Sequence, residues 1–259
     1  VGLHPNIDLL TNARLDGLEG ESPAFRARIS QRARYVDIDR CLGCGECAQV
    51  CPVVVPSEFD AGLGRRKAIF KLYPQAAPGA FAIDKLGTPP CTSACPAHVN
   101  VQGYVALVRQ GKYDEALALI LRDLPFPAVC GRLCTHPCEA ACRRGKIDES
   151  VAIRALKRFV ADAAREAGAG LLPPAEPRRE TDKVAVVGSG PAGLTAAYFL
   201  ALGGYAVTVF EAMDRPGGML STGIPRFRLP QAILDAEIER ILSLGIALET
   251  GVRVGTDID

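Results

Sequence analysis

The chain has 259 residues, enough for one large domain or two to three small ones. Hydrophobic residues make up 48% and charged residues 23%, with a net charge of +1. The charge signs are interspersed, which excludes the basic footprint of a nucleic-acid binder. No apolar run reaches the roughly 18 residues of a membrane span and no signal-peptide pattern opens the chain. The expectation is a cytoplasmic protein with no membrane span. The first residue is Val1, and Asp259 closes a strand-and-turn stretch, so the chain reads as a piece of something longer.

In chain order, residues 1–38 read as short strands at 7–10, 13–18, 25–30 and 33–37, with 19-EGESP-23 as a turn. This β-rich segment holds too little apolar surface to be a domain alone. Residues 39–90 carry the first cysteine run and then an irregular stretch broken by Pro and Gly. Helices are expected at 101–110, 113–123 and 151–167, the last with Val151, Ile153, Leu156, Phe159 and Val160 on its apolar stripe, Ser150 as N-cap and Gly168 as stop. Residues 168–183, rich in Pro, Gly and charge, read as a linker. An apolar strand at 184–187 then opens a βαβ pattern that runs to 259.

Ten cysteines, all between residues 40 and 143, dominate the chemistry. Close Cys-x-x-Cys steps without secretion signals favour metal ligation over disulfides. The run 41-CLGCGECAQVCP-52 is Cys-x2-Cys-x2-Cys-x3-Cys-Pro, the bacterial ferredoxin-type ligand run for a 4Fe-4S cluster. Three thiolates on one tight loop can each meet a different iron, and Gly43 and Gly45 let that loop turn. In two-cluster ferredoxins the fourth cysteine serves the other cluster, so Cys41, Cys44 and Cys47 go together and either Cys51 or a distant Cys-Pro, such as Cys95-Pro96, closes the site. The competing reading is zinc, which more often pairs two separated Cys-x2-Cys arms. The remaining cysteines, Cys91, Cys95, Cys130, Cys134, Cys138 and Cys142, form a second group.

The segment 184-VAVVGSGPAGLTAAYFLALGGYAVTVFE-211 is strand, Gly-x-Gly-x-x-Gly, helix, strand, acid, the dinucleotide fingerprint in full context. Gly188 allows the tight turn, Gly190 lets a pyrophosphate approach, Gly193 allows helix–strand packing, and the helix start offers amides to phosphate. Glu211, about 20 residues on, stands where a carboxylate binds ribose hydroxyls. Ser189, Pro191 and Ala192 complete the loop, and Gly217, Gly218 and Met219 follow as a second glycine pair of the kind found in FAD-type flavoproteins. Elsewhere, His4, His98 and His136 read as turn or surface residues, with His136 placed to tune a cluster. Arg65, Arg66 and Lys67 read as a solvated run, and Tyr35 and Phe70 as core.

Two resemblances cover nearly the whole chain. Residues 91–258, through 91-CTSACP-96, 129-VCGRLCTHPCEAACRRG-145, 186-VVGSGPAGLTAA-197, 215-RPGGML-220 and 223-GIPRFRLP-230, resemble the small chain of glutamate synthase and the N-terminal part of dihydropyrimidine dehydrogenase. Residues 1–90, through 2-GLHPNIDLLTNARL-15, 34-RYVDIDRCLGCGECAQVCP-52 and 57-SEFDAGLGRRKAIFKLYPQAAP-78, resemble the flavin-bearing subunit of heterodisulfide reductase. The implied fold class is multidomain α/β plus α: a β-hairpin segment that is the tail of an upstream flavin domain (1–38), a ferredoxin-type 4Fe-4S insert (39–90), a cysteine-rich helical iron–sulfur domain (91–167), the linker (168–183) and a partial Rossmann-like FAD-binding βαβ domain (184–259).

The implied function is that of an oxidoreductase passing electrons between FAD and 4Fe-4S clusters, with NAD(P)H entering only in the full-length protein. Its partners would be other subunits of a redox complex or a ferredoxin-like carrier. Such helical domains usually hold two clusters, but Ile83 and Leu86 stand where the first takes its upstream cysteine pair. Cys91 and Cys142 are thereby left as a pair. Cys95, Cys134 and Cys138 would hold the second cluster, whose fourth ligand in the family is an amide or carboxylate at the position of Lys157. One complete cluster follows, closed by Cys91, Cys130 or Cys142. The alternative function is a zinc-stabilised scaffold on a nucleotide fold.

Overall fold

The computed structural model describes residues 4–85, 87–168 and 170–258, without the side chain of Glu180. Leu86, one of the two positions where the family resemblance implies a cysteine, lies outside the described residues, as do Val1–Leu3 and Asp259. The chain divides into two compact units, Val1–Gly87 and Thr88–Asp259.

In the first unit, strands β1 (Ala13–Glu21) and β2 (Ala24–Gln31) form an antiparallel hairpin around Ser22 and Pro23. The hairpin runs three residues beyond the expected strand end at 18, and the strands expected at 7–10 and 33–37 are absent. The short helix α1 (Glu46–Val50) carries the end of the first cysteine run. It is followed by β3 (Val54–Pro56), β4 (Arg65–Lys67), β5 (Ile69–Phe70) and β6 (Ala82–Ile83), paired as β3–β4 and β5–β6. The stretch expected to be irregular is thus tied by two small ladders. Ile83 pairs with Ile69 in the second of them.

Of the charged run at 65–67, Arg65 is exposed as expected, whereas Arg66 and Lys67 are half-buried and partnered. Arg66 makes an ion pair with Asp84 at 12% side-chain exposure and lies 3.5 Å from the centroid of the Phe70 ring. Lys67 Nζ donates to the carbonyl of Cys51 at 2.8 Å. Tyr35, expected in the core, is 54% exposed, with the ammonium of Lys85 over its ring at 3.7 Å.

The second unit begins with α2 (Pro90–Ser93), α3 (Val101–Arg109), α4 (Tyr113–Leu121), α5 (Pro127–Leu133), α6 (Pro137–Ala140) and α7 (Ile153–Glu166). Asn100 caps α3, its side chain accepting the amide of Gly103 at 2.9 Å. Ser150 does not cap α7; its hydroxyl donates to the carbonyl of Glu139, and Ala152 takes the cap position. Gly168, at φ 67, follows the end of that helix. The buried stripe of α7 is Ile153, Lys157, Val160, Ala161 and Ala164, so Phe159, expected inside, is 47% exposed and meets Tyr113 edge-on.

The rest is a βαβαβ unit: β7 (Arg179–Val187), α8 (Pro191–Leu202), β8 (Tyr205–Glu211), α9 (Met219–Thr222), α10 (Gln231–Leu242) and β9 (Ala247–Thr250). The three strands are parallel in the order β7–β8–β9. Helical crossovers are what parallel neighbours require. β7 starts five residues before the expected strand, because Arg179 pairs with Tyr205 and its guanidinium lies 4.5 Å from the centroid of that ring.

The expected linker does not separate two bodies. One core joins Phe126, Ala128 and Val129 of the cysteine helices to Leu194, Tyr198, Val209, Ile238 and Ile241 of the nucleotide fold. Tyr198 Oη donates to the carbonyl of Leu121 at 2.8 Å. Glu237 of α10, 2% exposed, accepts the amides of Ala128 and Val129 at 2.8 and 2.9 Å and pairs with Arg240 at 3.2 Å. A second core packs α3, α4 and α7 around Tyr104, Leu117, Ile120 and Val160, with Cys138 buried in it.

Replacing Glu237 by Ala strands two helix-start amides and a guanidinium in this core. The expected loss is about 3 kcal/mol, the scale of a broken buried ion pair. Glu237→Gln, which keeps one acceptor, should cost less. Thermal unfolding of the full chain followed by circular dichroism reads both, and an unchanged melting temperature for Glu237→Ala would contradict the assignment.

Candidate functional site

The nucleotide loop links β7 to α8. Gly193 is required by contact: a Cβ there would stand 1.9 Å from the carbonyl oxygen of Gly188. Gly218, at φ 51, is required too, since its Cβ would meet Gly190 Cα at 2.9 Å. The second glycine pair therefore packs directly on the loop, and Gly217 donates its amide to the Ser189 carbonyl at 3.0 Å. Pro191 sits at the first turn of α8, where its missing N–H costs nothing. Nothing lies within 4 Å of a Cβ built on Gly190, which leaves room for a phosphate beside the first amides of α8.

Glu211 ends β8 with 8% exposure. Its Oε2 accepts the amide and hydroxyl of Ser189 at 2.8 and 2.5 Å, and its Oε1 accepts the amide of Met213 at 2.9 Å. Burial alone would raise this carboxyl, but the Ser189 hydroxyl and the amides of Met213, Ser189 and Ala212 outweigh it, and the group is held below the usual carboxylate range. Glu211 thus fixes the shape of the loop as well as ending the second strand. Met219, in the first position of α9, is 69% exposed.

In the first unit, Cys41 and Cys44 lie on the loop before α1, Cys47 lies in that helix, and Cys51 is its C-cap. Gly43 and Gly45 turn the loop at φ 69 and 87. Cys44 is exposed and the other three are half-buried.

In the second unit the six cysteines fall into two neighbourhoods. Cys91 and Cys142 line one cavity of about 210 Å³ with Val101, Val105, Ile153, Arg143 and Arg144. Burial pushes the Cys91 thiol up, and the neighbouring Cys142 adds to it. Cys95, Cys130, Cys134 and Cys138 form the other neighbourhood, in which Lys157 acts on Cys130 and Cys138. Burial raises the Cys130 thiol to about 11 and raises that of Cys138; Lys157 opposes both, while Cys134 and Cys95 add to both. The amide of His136 donates to Cys134 Sγ at 3.3 Å, and the His136 ring pairs with Glu139 at 3.2 Å. Tyr104, buried beside Cys138, Cys95 and Cys91, donates its hydroxyl to the Ile153 carbonyl at 3.0 Å.

Among the described residues no three Cys, His, Asp or Glu side chains converge as they would around one metal ion. Thiolates of a four-iron cube each meet a different iron, so the cube rather than a single ion sets their spread. Four thiols, an N–H···S contact and a buried cation suit such an anionic group. The roles of Arg154 and Glu237 escaped sequence reading, as did the burial of Lys157. For Lys157 the available signal was its spacing, three residues before Val160 and four after Ile153 on the apolar stripe.

Three family models match: a 4Fe-4S binding domain over residues 34–57, the dihydropyrimidine dehydrogenase domain II with its 4Fe-4S cluster over 84–169, and an NAD(P)-binding Rossmann-like domain over 186–238. The beta subunit of an NADP(+)-dependent formate dehydrogenase from Moorella thermoacetica is 39% identical over 95% of this chain and 37% of that protein. The beta subunit of an NADPH-Fe(3+) oxidoreductase from Geobacter sulfurreducens is 44% identical over 68% of this chain and 26% of its own. The small chain of NADPH glutamate synthase from Bacillus subtilis is 38% identical over 70% of this chain and 38% of its own. The chain therefore spans well under half the length of these relatives. One relative covers nearly all of it, so the joining of the two resembled segments is not peculiar to this chain. Among the described residues no helix is long and apolar enough to cross a membrane.

Glu211→Gln tests the loop. With its folded value depressed, Glu211 contributes stability that is present above the ordinary carboxylate value and is lost as pH falls through the depressed one. The glutamine removes the charge and turns an NH2 group toward an amide donor. At neutral pH the variant should be less stable by about 2 kcal/mol, with the difference from the parent vanishing under acid conditions. Equal stability of the two proteins at neutral pH in urea melts would count against the role.

Proposed function

Proceeding from a chain related to glutamate synthase small chains and to the iron–sulfur domain of dihydropyrimidine dehydrogenase, we propose that it relays electrons between FAD and 4Fe-4S clusters within a larger oxidoreductase. The observation that carries this reading is the shared core: the helix bearing Cys130 and ending at Cys134 is capped by Glu237 of the nucleotide fold. A relay needs its two stations held at a fixed separation, and a fully buried carboxylate accepting two amides of α5 supplies that rigidity.

In this reading the loop Gly188–Gly193 receives the pyrophosphate of FAD through the first amides of α8. Glu211 holds Ser189 and Met213 in place and keeps one lone pair of Oε1 for a ribose hydroxyl. Gly217 and Gly218 close against the loop, and Met219 borders it. Cys41, Cys44, Cys47 and Cys51 hold one cluster; Cys95, Cys130, Cys134 and Cys138 hold the other. When bound, flavin takes two electrons together and releases them singly, and a cluster carries one at a time. The protein's residues position and tune those groups. NAD(P)H would enter in the full-length assembly, and the partners are its other subunits or a ferredoxin-like carrier, acting in the cytoplasm.

Anaerobic preparation with iron and sulfide, followed by analysis of metal, acid-labile sulfide and flavin, tests the reading. It predicts about eight irons and eight sulfides per chain, in two four-iron clusters. About twelve irons would mean that Cys91 and Cys142 also serve a cluster. A colourless protein with stoichiometric zinc and no sulfide would sink the redox reading in favour of a zinc-stabilised scaffold.

A further inference from the structure

The inward stripe of α7 carries one cation among four apolar side chains: Lys157, 7% exposed. A buried ammonium is costly unless something negative faces it. Among the described residues no ion pair joins it to a carboxylate, and its charge acts on the thiols of Cys130 and Cys138. The backbone geometry explains the placement. Helices α5 and α7 approach so closely that a Cβ on Gly131 would meet Arg158 Cβ at 2.7 Å and Cα at 2.8 Å. Gly131 follows Cys130 and Arg158 follows Lys157, so the ammonium and the thiol start from neighbouring points on the crossing.

The crossing is locked on both sides of Lys157. One turn earlier, Arg154 donates its Nη1 to the Cys134 carbonyl at 2.9 Å and its amide to Glu139 Oε1 at 2.7 Å. On the other side, Asp162 accepts both bonds of a fork from Arg132 Nη2 at 2.8 and 2.9 Å. Lys157 therefore has little freedom to turn away from the cysteines.

We infer that Lys157 is the fixed counter-charge of a 4Fe-4S cluster held by Cys95, Cys130, Cys134 and Cys138, and that it raises the reduction potential of that cluster. The inference rests on the cluster reading above. The family resemblance puts a neutral amide or a carboxylate ligand at position 157. Here a thiol on α5 stands beside the site, and a thiolate in that role brings negative charge. A cation at 157 offsets it. Reduction by one electron from reduced flavin forms and breaks no bond to the protein; it adds one negative charge to the cluster, and a nearby positive charge favours that state. Burial keeps salt from screening the effect.

The test uses the full chain, reconstituted anaerobically, with the cluster followed by electron paramagnetic resonance during a redox titration. The signal that disappears in Cys138→Ser identifies the cluster concerned. Lys157→Met and Lys157→Gln should keep the parent's iron and sulfide while the reduced-to-oxidised ratio at the parent's midpoint falls at least about tenfold, roughly 59 mV for a one-electron couple. Lys157→Arg should stay within about threefold of the parent. Loss of the cluster from both neutral variants, with retention in Lys157→Arg, would express the same need for charge. An unshifted midpoint in the neutral variants, or equal shifts in Arg and Met, would overturn the inference. So would a Cys130→Ser protein whose cluster signal and iron content match the parent. A parent chain with no acid-labile sulfide would overturn the cluster reading itself, which separates the two failures.

Discussion

The second unit depends on the Glu237 carboxylate. A carboxylate buried to this degree is unfavourable unless every lone pair finds a donor. It finds them in two amides that no intrahelical bond can satisfy, those of Ala128 and Val129, and in Arg240. Arg240 in turn donates to the Pro125 carbonyl at 2.7 Å, so the turn before α5 is held at both its donor and its acceptor side. The cysteine helices and the nucleotide fold are consequently one packed body with a polar joint. That joint is specific in register, because a slip of α5 by one residue would present different amides to the carboxylate.

From that joint the chemistry is arranged outward along α5. Its start is fixed by the nucleotide fold, its middle crosses α7 at Gly131, and its end delivers Cys134 to a loop that Arg154 and Glu139 hold. Each contact constrains a cysteine indirectly, through backbone rather than through sulfur. This separates the duties. Backbone contacts fix position, which leaves the sulfur atoms free for a ligand role, and the N–H of His136 reaches the sulfur of Cys134 directly.

The sequence made the nucleotide segment legible because each glycine answers a local demand: Gly193 meets a carbonyl and Gly218 meets the first loop, and no side chain fits in either place. Helices α3, α4 and α7 were legible as well, the last through its apolar periodicity. What stayed hidden was non-local. Glu237 on an amphipathic helix looks like any exposed acid until its partner, more than a hundred residues away, is known. Arg66 reads as one of a charged run, yet its partners Asp84 and Phe70 lie elsewhere in the chain and draw it inward. The start of β7 was missed because its residues are polar, and pairing with Tyr205 rather than hydrophobicity makes them strand.

The two cysteine neighbourhoods of the second unit differ in a way that bears on their fates. Cys91 and Cys142 face an apolar cavity, and the upstream position Ile83 pairs within the small β5–β6 ladder of the other unit. Arg143 and Arg144 also line that cavity; burial raises the Cys91 thiol, and Cys142 adds to the cost of its charge. An apolar setting favours neutral thiols, and a cationic one favours thiolates. Burial dominates in both places, since the Cys130 thiol is raised to about 11 despite Lys157; what distinguishes the second place is a cation on the inward stripe of α7. That cation stands on a helix that crosses α5 at Gly131, and α5 is held to the nucleotide fold by Glu237 of α10.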